Sequence, residues 1–275
     1  MVKKILITGA SGFIGSALSE KLGTNELVLL NKVGGANGIL DPGIDKLFES
    51  VDIVVHLAAL GNYAGAKLED FMKINCDGTV NVLEAAKTAG IKKFIFASTG
   101  LVYGKPVKLP ITEEHPLNPV NPYEMSKAAA EVKCRSYSEF FDVSIFRFSN
   151  VYGNNGTKSV VYKFLHDLAN NRRSKIVGGE QRRDFVHIED VVGLVAGCTD
   201  RTAAGVFNVC FGKSYSVNEV YAMAEKISGT LLEPERVAGA DCSYQFSNFK
   251  AQKLLGFYPK IDLKKGMEMI WEDLK

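Results

Sequence analysis

Short, almost wholly apolar runs alternate with amphipathic segments through the first half of the chain. The runs Lys4–Thr8, Glu26–Leu30, Asp52–Leu57, Lys93–Ala97 and Val143–Phe148 are apolar along most of their length instead of at every second position, as strands covered on both faces must be. Between them, Gly15–Leu22, Glu69–Ala89 and Tyr123–Phe140 place apolar residues at helical spacing. Strands alternating with helices predict an α/β protein with a doubly wound parallel sheet. Asp77-Gly78-Thr79 and Ala89-Gly90 are expected as breaks or caps in and after the second helix. One connection is short: only Asn31–Asn37 separate the strand ending at Leu30 from a candidate strand around Gly38–Leu40. A crossover helix needs about a dozen residues, so a bare loop is expected there.

After Tyr152 the pattern changes. Gly153–Gly156 is rich in Gly and Asn, a helix is expected around Val160–Asn170, and Gln181–Asp184 is rich in arginine. The expected organisation is one large domain over 1–150, rejoined by 184–207, with a smaller C-terminal lobe built from 151–183 and 208–275. With 275 residues, 46% of them apolar, the chain can bury cores of that size. A net charge of +2 gives no ground for a nucleic-acid or acidic-membrane partner. The apolar run at the start, Ile5–Ile7, is too short for a signal peptide, and no window reaches the roughly 18 apolar residues of a membrane span. A cytoplasmic location is expected. Cys76, Cys134, Cys198, Cys210 and Cys242 are scattered and contain no CxxC pair, which points to reduced thiols and no metal site.

Chemistry enters at Thr8-Gly9-Ala10-Ser11-Gly12-Phe13-Ile14-Gly15, which follows the first strand and opens the first helix. Glycines there permit a tight turn, the approach of a pyrophosphate to the backbone, and close packing of helix on strand. The helix N-terminus adds unpaired N–H groups and a partial positive charge. In this context the turn predicts a dinucleotide site and a sheet of Rossmann type. An acidic residue about 20 positions further on commonly accepts the adenosine ribose hydroxyls; here Asn31 and Lys32 stand in its place. Loss of that carboxylate removes the repulsion that excludes a 2′-phosphate, and Lys32 offers a cation. NAD is expected, with NADP open.

Tyr123-Glu124-Met125-Ser126-Lys127 begins a helix and stacks Tyr123 and Lys127 on one face. A phenol titrates at about 10 in water; a neighbouring ammonium favours phenolate, which can take the proton of a secondary alcohol as its hydride departs. The spacing alone is weak, since Tyr63 and Lys67 repeat it. What singles out the first copy is the hydroxyl pair Ser98-Thr99 at the end of an earlier strand, where parallel α/β sheets gather their sites. Ser and Thr are also common caps of such turns.

With these residues in view, the sequence resembles the extended short-chain dehydrogenase/reductase family, in its nucleotide-sugar epimerase and dehydratase branch. The likeness covers nearly the whole chain. It rests on TGASGFIG at 8–15, HLAA at 56–59, Asn75 in INCDGT, STGLVYG at 98–104, YEMSK at 123–127, FRFSNVYG at 146–153 and RRDFVHIED at 182–190. By that resemblance Tyr123 is the acid/base, Lys127 lowers its pKa and binds the nicotinamide ribose, and Thr99 contacts the reacting sugar oxygen. Gly9, Gly12, Phe13, Ile14 and Gly15 form the pyrophosphate loop, with Asn31 and Lys32 at the adenosine ribose. Leu57, Ala58 and Ala59 form the adenine-side wall, while Asn75 and Ser98 also contact the cofactor. Asn150 and Arg183 fall where the family holds a nucleotide diphosphate. Dehydratases of the branch carry Asp-Glu directly after the Thr; Gly100-Leu101 stand there instead, and neither transfers a proton. The resemblance thus implies a nucleotide-sugar 4-epimerase using transient hydride abstraction, and a homodimer through Glu69–Ala89 and Tyr123–Phe140. A ketoreductase or dehydrogenase of a sugar or other carbonyl compound needs the same trio, and a non-catalytic dinucleotide-binding protein is the other alternative. In the C-terminal stretch the family's second phosphate-gripping Arg is missing from Asp241–Ser247, which leaves Arg182, Arg173 or Lys158 as substitutes.

Overall fold

The structure is a computed structural model that describes residues 2–33, 38–62, 65–157, 159–239 and 242–275. The chain forms two compact units. The first comprises Met1–Gly104, Pro116–Arg147 and Val192–Phe207, and the second Lys105–His115, Phe148–Val191 and Asn208–Lys275.

The first unit is built on a six-stranded sheet. Its strands are β1 (Lys4–Thr8), β2 (Glu26–Leu30), β3 (Ile53–His56), β4 (Lys93–Thr99), β5 (Asp142–Phe148) and β9 (Gly205–Val209), in the order β2-β1-β3-β4-β5-β9. β1 runs parallel to both β2 and β3, and β3 runs parallel to β4. The chain therefore reverses its direction of winding between β1 and β3, the switch point beside which ligands of such sheets bind. Complete burial of Ile5, Leu6, Val54, Phe94 and Phe96 explains why these strands read as continuous apolar runs. Around the sheet lie α1 (Phe13–Lys21), α2 (Leu68–Phe71), α3 (Gly78–Thr88) and α4 (Pro122–Ser136).

The segment expected as one helix over Glu69–Ala89 is three pieces: α2, a wider π turn over Met72–Asp77, and α3 starting at Gly78. The break falls where Asp77-Gly78-Thr79 suggested it. Helix α4 starts cleanly because Asn121 caps it, its side chain accepting from Glu124 N, with Pro122 at the first helical position.

The strand expected around Gly38–Leu40 does not form: Gly38 lies in a bend, and Ile39 and Leu40 in a turn. The carbonyls of Ile39 and Asp41 are instead taken by the Asn81 amide at 2.9 and 2.7 Å, while Ile39, Ile44 and Phe48 turn into the core. Of the bare loop expected over Asn31–Asn37, Asn31–Val33 carry no helix or strand and 34–37 lie outside the described residues; further on, a 3₁₀ turn over Ile44–Phe48 precedes β3. With no strand added beyond it, β2 is the edge of the sheet, and Leu29 is 49% exposed.

The second unit contains the three-stranded sheet β10-β8-β6 (Ser214–Ser216, Arg182–His187, Asn150–Tyr152) and the pair β11-β7 (Glu235–Val237, Lys175–Val177). Helices α5 (Val160–Ala169), α6 (Val217–Ser228) and α7 (Leu263–Leu274) close over Tyr152, Phe164, Tyr221 and Met267. Asp184 ties this unit together from β8: its carboxylate accepts from Phe211 N at 2.9 Å and Gly212 N at 3.0 Å. Burial pushes that carboxyl up to about 7, against the backbone N–H groups that favour its charged form.

Candidate active site

The glycine turn sits at the switch point. Gly9 has φ +68°, and a Cβ there would lie 2.8 Å from Ala58 N, at the end of β3. Gly12 N donates to Gly9 O at 3.0 Å, and Gly12 then caps α1. Gly15 is buried on α1, and a Cβ on it would run into the Gly9 carbonyl. The turn is thus a backbone cradle that side chains would fill, opening onto a helix N-terminus. Phe13 and Ile14, half-buried, begin that helix. Asn31 is exposed, and its Oδ1 accepts from Ser11 N at 2.6 Å; Lys32, which follows it, is exposed as well.

Two buried polar residues hold the cradle's far wall. His56, fully buried, bridges Thr8 Oγ1 at 2.7 Å and Thr79 Oγ1 at 3.0 Å. Burial pushes its ring down to about 3, and the charge of Lys127 adds to the effect; His56 is a neutral brace. Asn75 accepts from Leu60 N at 2.7 Å and donates to Leu60 O at 3.1 Å and Ser126 Oγ at 2.9 Å. Asn75, expected at the cofactor, is buried and fixes the loop after β3, of which Leu57, Ala58 and Ala59 are the first residues.

At the end of β4, Ser98 is likewise turned inward, its hydroxyl donating to Glu131 Oε1 at 2.6 Å. Thr99 caps the turn that follows, accepting from Leu101 N. Tyr123 lies in the first turn of α4, half-buried, its ring edge-on to Phe71 at 6.1 Å. Lys127 is 2% exposed, with Nζ 4.1 Å from the centre of the Phe96 ring. Among the described residues it has no ion pair, and burial pulls its ammonium down to about 8 although Cys134 and Glu131 raise it.

Sequence reasoning passed over Glu131 and Arg147. Arg147 Nε and Nη2 reach Glu131 Oε1 and Oε2 at 2.9 and 2.6 Å, and Nη1 donates to Tyr103 OH at 2.8 Å. Both residues are at most 1% exposed. The signals were there: an Arg inside an apolar strand, and a Glu two helical turns beyond Tyr123 on the same face.

In the second unit, exposed Asn150 donates to Asp184 O at 3.0 Å. Arg183 donates to the Arg182 and Cys242 carbonyls at 3.0 and 2.7 Å and stacks on Tyr244. Arg182 pairs with Glu219 at 3.0 Å, and Arg173 donates to Glu233 O at 2.8 Å. Lys158, Asp241 and Tyr63 lie outside the described residues. Among the described residues there is no cluster of metal-ligating side chains, and no helix is long and apolar enough to cross a membrane.

The switch-point sheet, the glycine cradle and the helix carrying Tyr123 and Lys127 define a dinucleotide-binding α/β protein of Rossmann type. Comparison with known proteins narrows this: the chain belongs to the NAD dependent epimerase/dehydratase family, whose profile matches residues 5–210. It is 30% identical to the UDP-glucose 4-epimerase of Mycolicibacterium smegmatis over 96% of each chain. Among solved structures, the UDP-glucose 4-epimerase of Thermotoga maritima, with UDP-glucose, superposes with a TM-score of 0.91 at 28% identity, covering 98% of this chain and 97% of that one. RMD of Pseudomonas aeruginosa, solved with NADPH, gives 0.89 at 28% identity and 99% coverage of both.

Proposed function

We propose that the chain is a nucleotide-sugar 4-epimerase that uses tightly held NAD. The single observation that carries this reading is Lys127: a buried ammonium with no ion pair among the described residues, one helical turn from Tyr123 and on the same unit as the glycine cradle. The cradle fits the group, because its backbone amides and helix N-terminus suit a pyrophosphate and its glycines leave the room a backbone approach needs. Gly9, Gly12, Phe13, Ile14 and Gly15 would hold the pyrophosphate, Asn31 and Lys32 the adenosine ribose, and Leu57, Ala58 and Ala59 the adenine side. Lys127 would hold the nicotinamide ribose. Bound NAD supplies a hydride acceptor that becomes the donor in the return step.

The chain's own residues manage the proton. Lys127 favours the phenolate of Tyr123, which accepts the proton of the sugar's 4-hydroxyl, while the Thr99 hydroxyl orients that oxygen. When the keto sugar has turned over, Tyr123 would return the proton to the same oxygen. Gly100 and Leu101, which follow Thr99, leave no acid or base to eliminate water. Asn150 and Arg183 are assigned to the nucleotide diphosphate, whose charge a guanidinium suits. Ser98 and Asn75, with their hydrogen bonds directed inward, are assigned to shaping the site.

The test is product stereochemistry by NMR across UDP-, dTDP- and GDP-sugars. Inversion at one carbon with no net change in nicotinamide absorbance is expected; stoichiometric consumption of NAD(P)H with a free carbonyl compound would establish the reductase instead. Tyr123→Phe should lower turnover by about 10²-fold or more with dinucleotide binding retained. A homodimer completes the reading. Met125 (40% exposed), Ala129 and Val132 (63% exposed) form a stripe on the outer face of α4.

A further inference from the structure

The pair formed by Glu131 and Arg147 is placed to act on the reacting helix. Four segments meet at it: Ser98 at the end of β4, Tyr103 in the turn after β4, Glu131 on α4, and Arg147 on β5. Glu131 follows Lys127 by one helical turn and Tyr123 by two. Rotation or sliding of α4 would break three hydrogen bonds shorter than 3 Å at this one carboxylate. The pair is also costly to bury. Two ions are at most 1% exposed, and apolar residues of similar volume commonly serve a core as well or better. A clamp for stability alone therefore has cheaper solutions. What an apolar clamp cannot supply is charge beside Lys127, whose ammonium has no ion pair among the described residues.

We propose that Glu131 and Arg147 are positioning residues for Tyr123 and Lys127: they fix the reacting face of α4 on the end of β4 and set the charge that Lys127 feels. The proposal rests on the reading of Lys127 as half of the reacting pair. Of the other titratable groups at this corner, Cys134 raises Lys127 as well. His56 on β3 is neutral, and burial raises the thiols of Cys134 on α4 and Cys76 on the π turn, keeping both protonated. Tyr103 is engaged with Arg147. Among the described residues Glu131 is the carboxylate that raises Lys127, and Arg147 governs how much of its field remains.

The two members predict opposite signs. Glu131→Gln keeps the shape but leaves Arg147 uncompensated, so Lys127 should give up its proton about one pH unit lower. Arg147→Met leaves the carboxylate to Lys127 alone and should move that titration upward. The double variant, with neither charge, should fall between wild type and Glu131→Gln. The readout is the ε-carbon resonance of Lys127 in protein carrying isotope-labelled lysine, assigned against Lys127→Met; it needs no substrate. Alongside it, the alkaline limb of the turnover–pH profile should move the same way. Shifts of one sign in both single variants, or none, overturn the proposal, since lost packing alone would not reverse sign. Should a single variant not fold, the double variant, which strands no buried charge, still decides: Lys127 titrating as in wild type overturns it. Titration shifts without movement of the turnover limb would uphold the clamp and sink the placing of Lys127 in the reaction.

Discussion

Lys127 is held at a free-energy cost that its site explains. An ammonium brought from its ordinary 10.5 to about 8 by burial is less protonated in the folded than in the unfolded chain between those values. Stability therefore rises with pH across that window, and the whole penalty, on the order of 3 kcal/mol, applies below it. Lys127→Met, of similar length and apolar, should raise the thermal midpoint at about pH 7 and lose that advantage at about pH 10, while turnover collapses. A destabilised Lys127→Met protein at about pH 7 would mean that the contact with Phe96 outweighs desolvation. Asn31 works on a different balance. Its Oδ1 already accepts from Ser11 N, so Asn31→Asp keeps that bond and adds charge where the adenosine ribose is assigned. No Asp or Glu occurs between Leu30 and Leu40, so nothing in that segment now repels a 2′-phosphate. The substitution should weaken NADP relative to NAD by about tenfold or more, measured by calorimetry. An unchanged ratio would place the ribose elsewhere.

At the scale of elements, Gly12 and Gly15 offer a graded test of the cradle. A Cβ at Gly15 collides with the Gly9 carbonyl, whereas one at Gly12 stays 3.1 Å from the same atom, and Gly12 has an ordinary negative φ. Gly15→Ala should therefore force α1 away from the turn, costing about 1–3 kcal/mol and at least tenfold in dinucleotide affinity, with Gly12→Ala milder on both counts. Equal effects would argue that neither packing distance matters. Sequence periodicity located β1, β2, β3, β4, β5 and α4 to within a residue or a few, because buried parallel strands and a capped helix write their burial directly into local pattern. The glycine turn and the Tyr123–Lys127 pair were readable for the same reason: each is local. What failed was tertiary. Gly38–Leu40 has strand-like residues, but whether they pair depends on Asn81, some forty positions away. The partners of Asn75 and Ser98 were not readable either, since only the fold brings Leu60 and Glu131 to them. Glu131 and Arg147 were invisible as a pair because nothing in either neighbourhood names the other.

For the whole molecule, the family match spans residues 5–210, and the six-stranded sheet ends at β2. Assembly is the remaining property of the whole chain, and α4 bears on it most. Burying its inner face fixes Tyr123, Lys127 and Glu131; its outer face leaves Met125 and Val132 exposed with Ala128 and Ala129 between them. Small and apolar residues in a row let two helices approach closely, and a net charge of +2 offers little resistance to self-association. A two-fold interface uses the same patch on both copies, so one substitution near its axis counts twice. A stable dimer buries about 800 Å² per partner, so the proposed interface draws on α3 as well as α4. Val132→Glu should convert a dimer to a monomer in sedimentation velocity at micromolar concentration. It should leave dinucleotide binding in place, since the cradle lies on other elements of the same unit. A wild-type chain that sediments as a monomer, or a Val132→Glu protein that remains dimeric, would remove α4 from the interface and leave its apolar stripe unexplained.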